Sequence, residues 1–224
     1  MITVGIPVLN YYQGLFRLLT DLDICNKKSN LIEKVIVVDN GGQGKFVSDK
    51  SFSFDCLVHN PEKNMGLAWA WNYILDNSAG TRLIANDDIR VSENFLSGFI
   101  EKIDTESVCY FQSVGCSLNA FSLFTITDYV VDKVGLFDEA ISPNYAYFED
   151  NDYFYRMERV GIELKQITLA EDINISHGGS KTLHNLNPED SRAHNAKFEL
   201  AKKNYIKKWG GIPRQEKFLN PYGK

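Results

Sequence analysis

Thr81-Arg82-Leu83-Ile84-Ala85-Asn86-Asp87-Asp88 is the stretch that decides how this chain folds. An apolar run ends abruptly in an amide and two adjacent carboxylates. Read as a strand, it puts those polar groups at the carboxyl end, where ligands collect in an open α/β sheet. Acids at such an edge can share Mg²⁺ or Mn²⁺ with a phosphate, because these cations take oxygen ligands and keep part of their shell for substrate. The same residues also suit a plain turn, since Asn and Asp side chains hydrogen-bond to nearby backbone.

Upstream, the pattern alternates. Ile2 to Pro7 reads as a short buried strand, broken by Pro7-Val8-Leu9-Asn10. Leu15, Leu18, Leu19 and Leu22 have helical spacing within Gly14 to Ile24. Val35 to Val38 is apolar throughout, as in a parallel strand covered on both faces, and Asp39-Asn40-Gly41-Gly42 ends it. Gln43 to Ser53 reads as a polar loop and Phe54 to Val58 as a third strand. Asn64-Met65-Gly66 opens a helix to about Leu75, and Thr81 to Ala85 follows as the fourth strand. Ser92 is the expected cap of a helix containing Phe95. This β-α-β-α-β-α order predicts a mainly parallel sheet with helices on both faces.

Downstream, Cys109 to Thr127 is expected to hold one or two strands, and Tyr129 to Val134 a short helix. Phe148 to Gly161 is a strong helix whose acidic start (Glu149, Asp150, Asp152) and basic end (Arg156, Arg159) complement the helix dipole. Ile162 to Ile167 and Ile173 to Ser176 read as strands, and Pro188 to Trp209 as a long helix stopped by Gly210-Gly211.

The 224 residues fit one large domain, and 44% hydrophobic content supports a sizeable core. No apolar run reaches the length of a membrane span. The Met1 end lacks a basic segment and cleavage site, so the expectation is a cytoplasmic protein. Cys25, Cys56, Cys109 and Cys116 form no C-x-x-C pair and read as small buried hydrophobes. Net charge is −5, yet Arg192 to Lys224 holds nine Lys or Arg against two Glu. Such a tail can meet an anionic partner or a membrane surface, or simply close the fold. No glycine-rich phosphate loop occurs, so bound phosphates need a cation for neutralisation.

Four features fall in one order: Pro7-Val8-Leu9-Asn10, Val38-Asp39-Asn40-Gly41, Asn64-Met65-Gly66 through Ala70-Trp71-Asn72, and Asn86-Asp87-Asp88. After them come Val134 to Gly161, with Gly-Leu-Phe-Asp-Glu and Phe-Glu-Asp-x-Asp-x-x-x-Arg, and Ile175 to Ser180. This arrangement resembles the GT-A glycosyltransferases of the large inverting family 2, especially its rhamnosyltransferase-like branch, over nearly the whole chain. The resemblance implies a single GT-A, Rossmann-like domain. Residues 1–105 would bind the nucleotide sugar, 106–188 the acceptor, and 189–224 would form a basic helix and tail.

The resemblance also implies roles. Pro7 and Asn10 would line the nucleotide site, and Asp39 would accept a hydrogen bond from a uracil or thymine N–H. Asn64, Gly66 and Asn72 would sit near the ribose and the sugar. Asn86 and Asp88 occupy the ends of the D-x-D motif, with Asp87 between them. Asp88 and His177 would hold Mn²⁺ or Mg²⁺, and Asp150 would be the general base. Glu149, Asp152, Arg156 and Trp71 would stand around the acceptor or behind the base. The implied partners are a nucleotide-sugar donor, UDP-linked by preference, and an acceptor glycan, a lipid-linked glycan or a modified nucleic acid. The basic helix could add peripheral contact.

Departures stand beside the resemblance. Asn86 replaces the first acid of D-x-D, which removes one charge from the cation site. Trp71 stands where the family often has Arg. Glu149 and Asp150 also suit a helix start without further function. His59, His184 and His194 read as ordinary histidines, and Trp69 and Trp71 as core or helix-face residues. A sugar-nucleotide or glycan-binding module without turnover is the alternative to a hexosyl- or pentosyltransferase. A nucleotidyltransferase lacks support, because the chain has no glycine-rich start to hold a triphosphate.

Overall fold

A computed structural model describes residues 1–42, 51–113, 118–178 and 188–224, the last with side chains from Arg192 onward. Most of the expected loop from Gln43 to Ser53, together with Cys116, Gly179, Ser180 and His184, lies outside the described residues.

The first half alternates as its sequence pattern predicts: β1 (Ile2–Val8), α1 (Tyr12–Ser29), β2 (Ile32–Asp39), β3 (Asp55–His59), α2 (Leu67–Asp76) and β4 (Thr81–Ala85). Next come β5 (Ile89–Val91), α3 (Phe95–Ile100), β6 (Val108–Gln112), β7 (Leu123–Thr127) and α4 (Asp128–Val134). The chain continues with α5 (Glu149–Val160), β8 (Leu164–Thr168), β9 (Ile175–His177) and α6 (Pro188–Trp209).

Seven strands form one sheet in the order β3-β2-β1-β4-β7-β6-β8, so both sequence halves contribute to it. Its pairings are parallel except around β7, which runs antiparallel to both β4 and β6. A separate antiparallel pair joins β5 to β9, with Ile89 opposite His177.

Strand alternation explains why Val35 to Val38 is apolar at every position. Val35 and Val37 face a core layer holding Leu15, Leu18, Leu22 and Phe99 from α1 and α3. Ile36 and Val38 face the opposite layer, with Trp71, Ile74, Tyr153 and Met157 from α2 and α5. Helices cover both faces of the central strands, while the edge strands β3 and β8 stay partly exposed.

One expectation changes, and the tail helix sides with the reading in which it closes the fold. Ser92 does not cap α3. Asn94 occupies the cap position, and Ser92 Oγ accepts from Asn174 N at 3.0 Å, fastening the β5–β9 pair. The basic helix does not offer its aromatic residues outward. Tyr205, Lys208 and Trp209 are buried, whereas Lys203 and Lys207 are exposed and Lys202 is half-buried. Cys25 and Cys109 are buried free thiols, and Cys56 is half-buried and free.

Candidate active site

Strand order reverses at β1, which has β2 on one side and β4 on the other. Such a switch point opens a crevice beyond the carboxyl ends of the strands. A cavity of about 330 Å³ lies there. Pro7, Val8 and Leu9 line it after β1, Asn40 after β2, and Asn86, Asp87 and Asp88 after β4. Asn64 and Leu67 close one side. The second half of the chain adds Asn119, Phe121, Ser122, Tyr145, Tyr147, Glu149, Asp150 and His177. The cluster after β4, the acids opening α5 and the histidine ending β9 therefore meet in one space.

The rim is stitched by amides. Asn40 Nδ2 donates to Gly66 O at 3.0 Å, and its Oδ1 accepts from Met65 N at 3.2 Å. Asn64 Oδ1 accepts from Gly66 N at 2.8 Å. Gly66 has φ of +95°, and a Cβ there would stand 2.8 Å from both N and O of Tyr145. Only glycine fits both the dihedral and the contact. The reward is a close backbone seam in which Leu67 N donates to Tyr145 O at 2.6 Å. Asp39 lies at the end of β2. Its Oδ1 accepts from Tyr12 Oη at 2.6 Å and Gly41 N at 3.1 Å, while its buried Oδ2 has no partner. Asp39 is 1% exposed and is not among the residues lining the cavity, so it braces the rim from behind. Asn10 is half-buried and lies outside the cavity lining.

At the far end, β5–β9 pairing and a Gly178 N to Asp88 O bond of 2.9 Å bring His177 beside Asp88. His177 Nε2 is 3.1 Å from Asp88 Oδ1. Among the described residues no three His, Cys, Asp or Glu side chains gather as a complete metal cage. One carboxylate and one imidazole facing a cavity are what a Mn²⁺ or Mg²⁺ ion held partly by substrate phosphates requires. The residues present fit such a cation, which Asp88 and His177 would hold. Burial and the neighbouring Asp88 carboxylate push the Asp87 acid up to about 8.

The opposite wall is the start of α5. Tyr147 and Phe148 enter it with φ of +99° and +66°, values rare for residues with side chains. Strain of this kind persists only where surrounding structure fixes it. Here Tyr145 Oη meets His194 Nδ1 at 2.6 Å, and the Tyr147 ring packs on His194 and Phe198. Asp150 is half-buried, and its Oδ1 accepts from Asn151 N at 2.8 Å. Burial raises its pKa. Glu149 is buried with Oε2 unpartnered. Burial first, then the Asp150 and Asp152 carboxylates, hold its pKa well above the usual range.

Four expected site residues serve other ends. Asn72 is locked to the turn after α4: Nδ2 donates to Phe137 O and Glu139 Oε1, and Oδ1 accepts from Phe137 N. It is not among the residues lining the cavity. Trp71 is 1% exposed and packed by Phe121, Phe124 and Phe137, so it floors the cavity without offering a face to a sugar. Asp152 points away from the cavity. It accepts from Arg156 Nε at 2.9 Å and Trp209 Nε1 at 2.8 Å, with Lys208 Nζ at 2.5 Å. Arg156 also donates to the Val134 and Leu136 carbonyls, tying α5 to α4.

Sequence reading missed the roles of Asn40, Tyr145, Tyr147 and His194. Asn40 was visible as turn chemistry. The other three carry no periodic signal, and only the approach of α6 to the loop before α5 gives them a place.

No family model matches the chain, and no curated protein sequence does. Solved structures do. The mannosyltransferase PcManGT from Pyrobaculum calidifontis, in complex with GDP-Man and Mn²⁺, aligns over 95% of this chain and 66% of its own, with 12% identity and a TM-score of 0.59. Staphylococcus aureus TarS with UDP-GlcNAc aligns over 92% and 71%, at 14% identity and a TM-score of 0.54. GalNAc-T7 with UDP, GalNAc and Mn²⁺ gives a TM-score of 0.63 at 12% identity, over 79% of this chain and 43% of its own. The chain thus spans just under two thirds of the first of these and less than half of the last. At such identities the likeness concerns architecture, and the architecture of this chain is the GT-A fold.

Proposed function

We propose that this protein transfers a sugar from a nucleoside-diphosphate donor, UDP-linked by preference, to an acceptor hydroxyl with inversion at the anomeric carbon. One observation carries the reading: Asp88, His177 and Asp150 all line the same switch-point cavity, with His177 3.1 Å from Asp88. The preference for UDP rests on the resemblance at Val38-Asp39-Asn40-Gly41, where Asp39 would meet the base. When bound, a divalent cation supplies positive charge beside the diphosphate leaving group. The residues do the rest. Asn64 and the Gly66 seam border the sugar donor, and the walls exclude water from the anomeric carbon. Asp150 takes the acceptor proton as the new C–O bond forms and the C–O bond to phosphate breaks. The electron pair leaves with the nucleoside diphosphate. A carboxyl with a raised pKa is the stronger base once ionised.

Turnover of UDP-glucose, UDP-galactose, UDP-GlcNAc or GDP-mannose with Mn²⁺, assayed with mixed glycan acceptors, tests the proposal. Asp150→Asn should cut transfer by about 10²–10⁴-fold with sugar-donor affinity nearly intact. Asp88→Ala should weaken Mn²⁺ and nucleotide binding together. Full activity in Asp150→Asn would remove the base from this account. The amide Asn86 favours a second reading, a sugar-nucleotide-binding module without turnover. Nucleotide binding with no transfer to any acceptor would select it.

No helix among the described residues is long and apolar enough to cross a membrane. Glycan and lipid-linked glycan acceptors remain candidate classes under this proposal. The inward-turned Tyr205, Lys208 and Trp209 weigh against a membrane or nucleic-acid role for that end of α6.

A further inference from the structure

A second cavity, of about 290 Å³, adjoins the first and shares Asn119, Phe121 and Asp150 with it. Asp150 therefore stands at the junction of two spaces. The second runs along the face of α5 that carries Asn151, Phe154 and Glu158, and its outer wall is Pro213, Arg214 and Glu216.

That wall is a rigid construction. Lys217 N and Phe218 N both donate to Trp209 O, at 2.9 and 3.0 Å. Tyr155 Oη donates to Phe218 O at 2.9 Å. Glu216 accepts from Tyr205 Oη and, at 3.1 Å, from Arg214 N. A Cβ on Gly211 would lie 1.9 Å from Gln215 O, so the turn closes only around glycine.

We propose that the second cavity is the acceptor subsite, walled by the 210–218 turn, and that it takes a neutral saccharide unit. This rests on the glycosyltransferase reading above. Three carboxylates line the space (Asp150, Glu158, Glu216) against one guanidinium. Arg214 already lies 3.4 Å from Glu158 Oε1 and over the Phe154 ring at 4.5 Å. A phosphate or uronate would meet net repulsion there, whereas sugar hydroxyls donate readily to carboxylates. The volume lies near the small end of ligand pockets, about 300 Å³, and admits a single ring with its substituents. The hydroxyl to be glycosylated would reach Asp150 from this side as the sugar donor faces it from the other.

The test uses the full chain, Mn²⁺, the four sugar nucleotides above and methyl glycosides of neutral hexoses and pentoses. Methyl glucuronide, glycerol phosphate and an oligonucleotide serve as anionic arms. Leu164→Trp puts an indole into the second cavity, and Arg214→Ala alters the exposed wall without touching the core. Each should raise the neutral-acceptor KM, by about tenfold or more for Leu164→Trp, equal to one lost subsite contact. The sugar-nucleotide Kd by calorimetry should stay within about twofold. Saturation-transfer NMR signals of the methyl glycoside should fade in Leu164→Trp. Unchanged KM in both variants, or preference for an anionic arm, would overturn the subsite. Failure of the unmodified chain to bind any sugar nucleotide would instead sink the transferase reading beneath it.

Discussion

The rim at the ends of β1, β2 and β4 and the start of α5 both gather acids, and they treat them in opposite ways. Among the described residues, no lysine or arginine pairs with Asp39, Asp87 or Asp88. A phenol, backbone amides and one imidazole hold them instead. At α5, Asp152 takes a guanidinium, an ammonium and an indole N–H, while Glu149, three residues away, has a buried oxygen with nothing. A rim without its own cations leaves negative charge for an external cation to answer. A helix start with one acid fully answered is anchored, and its neighbours stay oriented toward the cavity. The difference separates an acid that fastens helices together from acids with few or no side-chain partners.

The largest effect should come from the answered acid. Asp152→Ala leaves the Trp209 N–H unpartnered and removes one carboxylate from Lys208 and Arg156, which keep Asp138 and the Val134 and Leu136 carbonyls, so the cost falls at the low end for a broken buried ion pair, about 3 kcal/mol. In a chain of this size that lowers Tm by about 10 °C, measurable by calorimetry. A shift under about 2 °C would make Asp152 an ordinary helix-start acid and dissolve the contrast.

Gly66→Ala tests the rim. The new methyl must displace the Tyr145 backbone while the chain holds an unfavourable φ, at a cost of about 1–3 kcal/mol. Sugar-nucleotide affinity should fall further than stability, because the displaced loop forms the cavity wall. Equal loss of both would show that the seam serves folding alone.

The smallest effect concerns the unanswered acid, and its sign depends on pH. The Glu149 pKa is raised in the folded chain. Its contribution to stability is therefore full below the ordinary glutamate range and is lost as pH rises through the folded value. Glu149→Gln removes that loss. The variant should match or trail the parent near pH 4 and exceed it by about 1 kcal/mol at pH 8, seen in urea melts. A gap that shrinks with rising pH would show that Glu149 is ionised and satisfied.

Much of this architecture was legible in order and spacing. The apolar run Val35 to Val38 announced a strand covered on two faces, and the acids after Ala85 announced the sheet edge. What escaped was what depends on a partner distant in sequence. The antiparallel entry of β7 leaves no mark in a Phe- and Thr-rich run. The resemblance set Asn72 beside the ribose, but its amide turns toward Phe137, 65 residues on. Asp150 and Asp152 are indistinguishable as letters. A helix rotates about 100° per residue, so one faces the cavity and the other faces α6.

The indole that answers Asp152 lies 57 residues further along the chain. During synthesis the nucleotide-side strands and the helix bearing Asp150 emerge well before the residues that steady that helix. Competence should therefore arrive late in folding, with the burial of Trp209. Refolding followed by tryptophan fluorescence should show this as a phase that coincides with the appearance of activity.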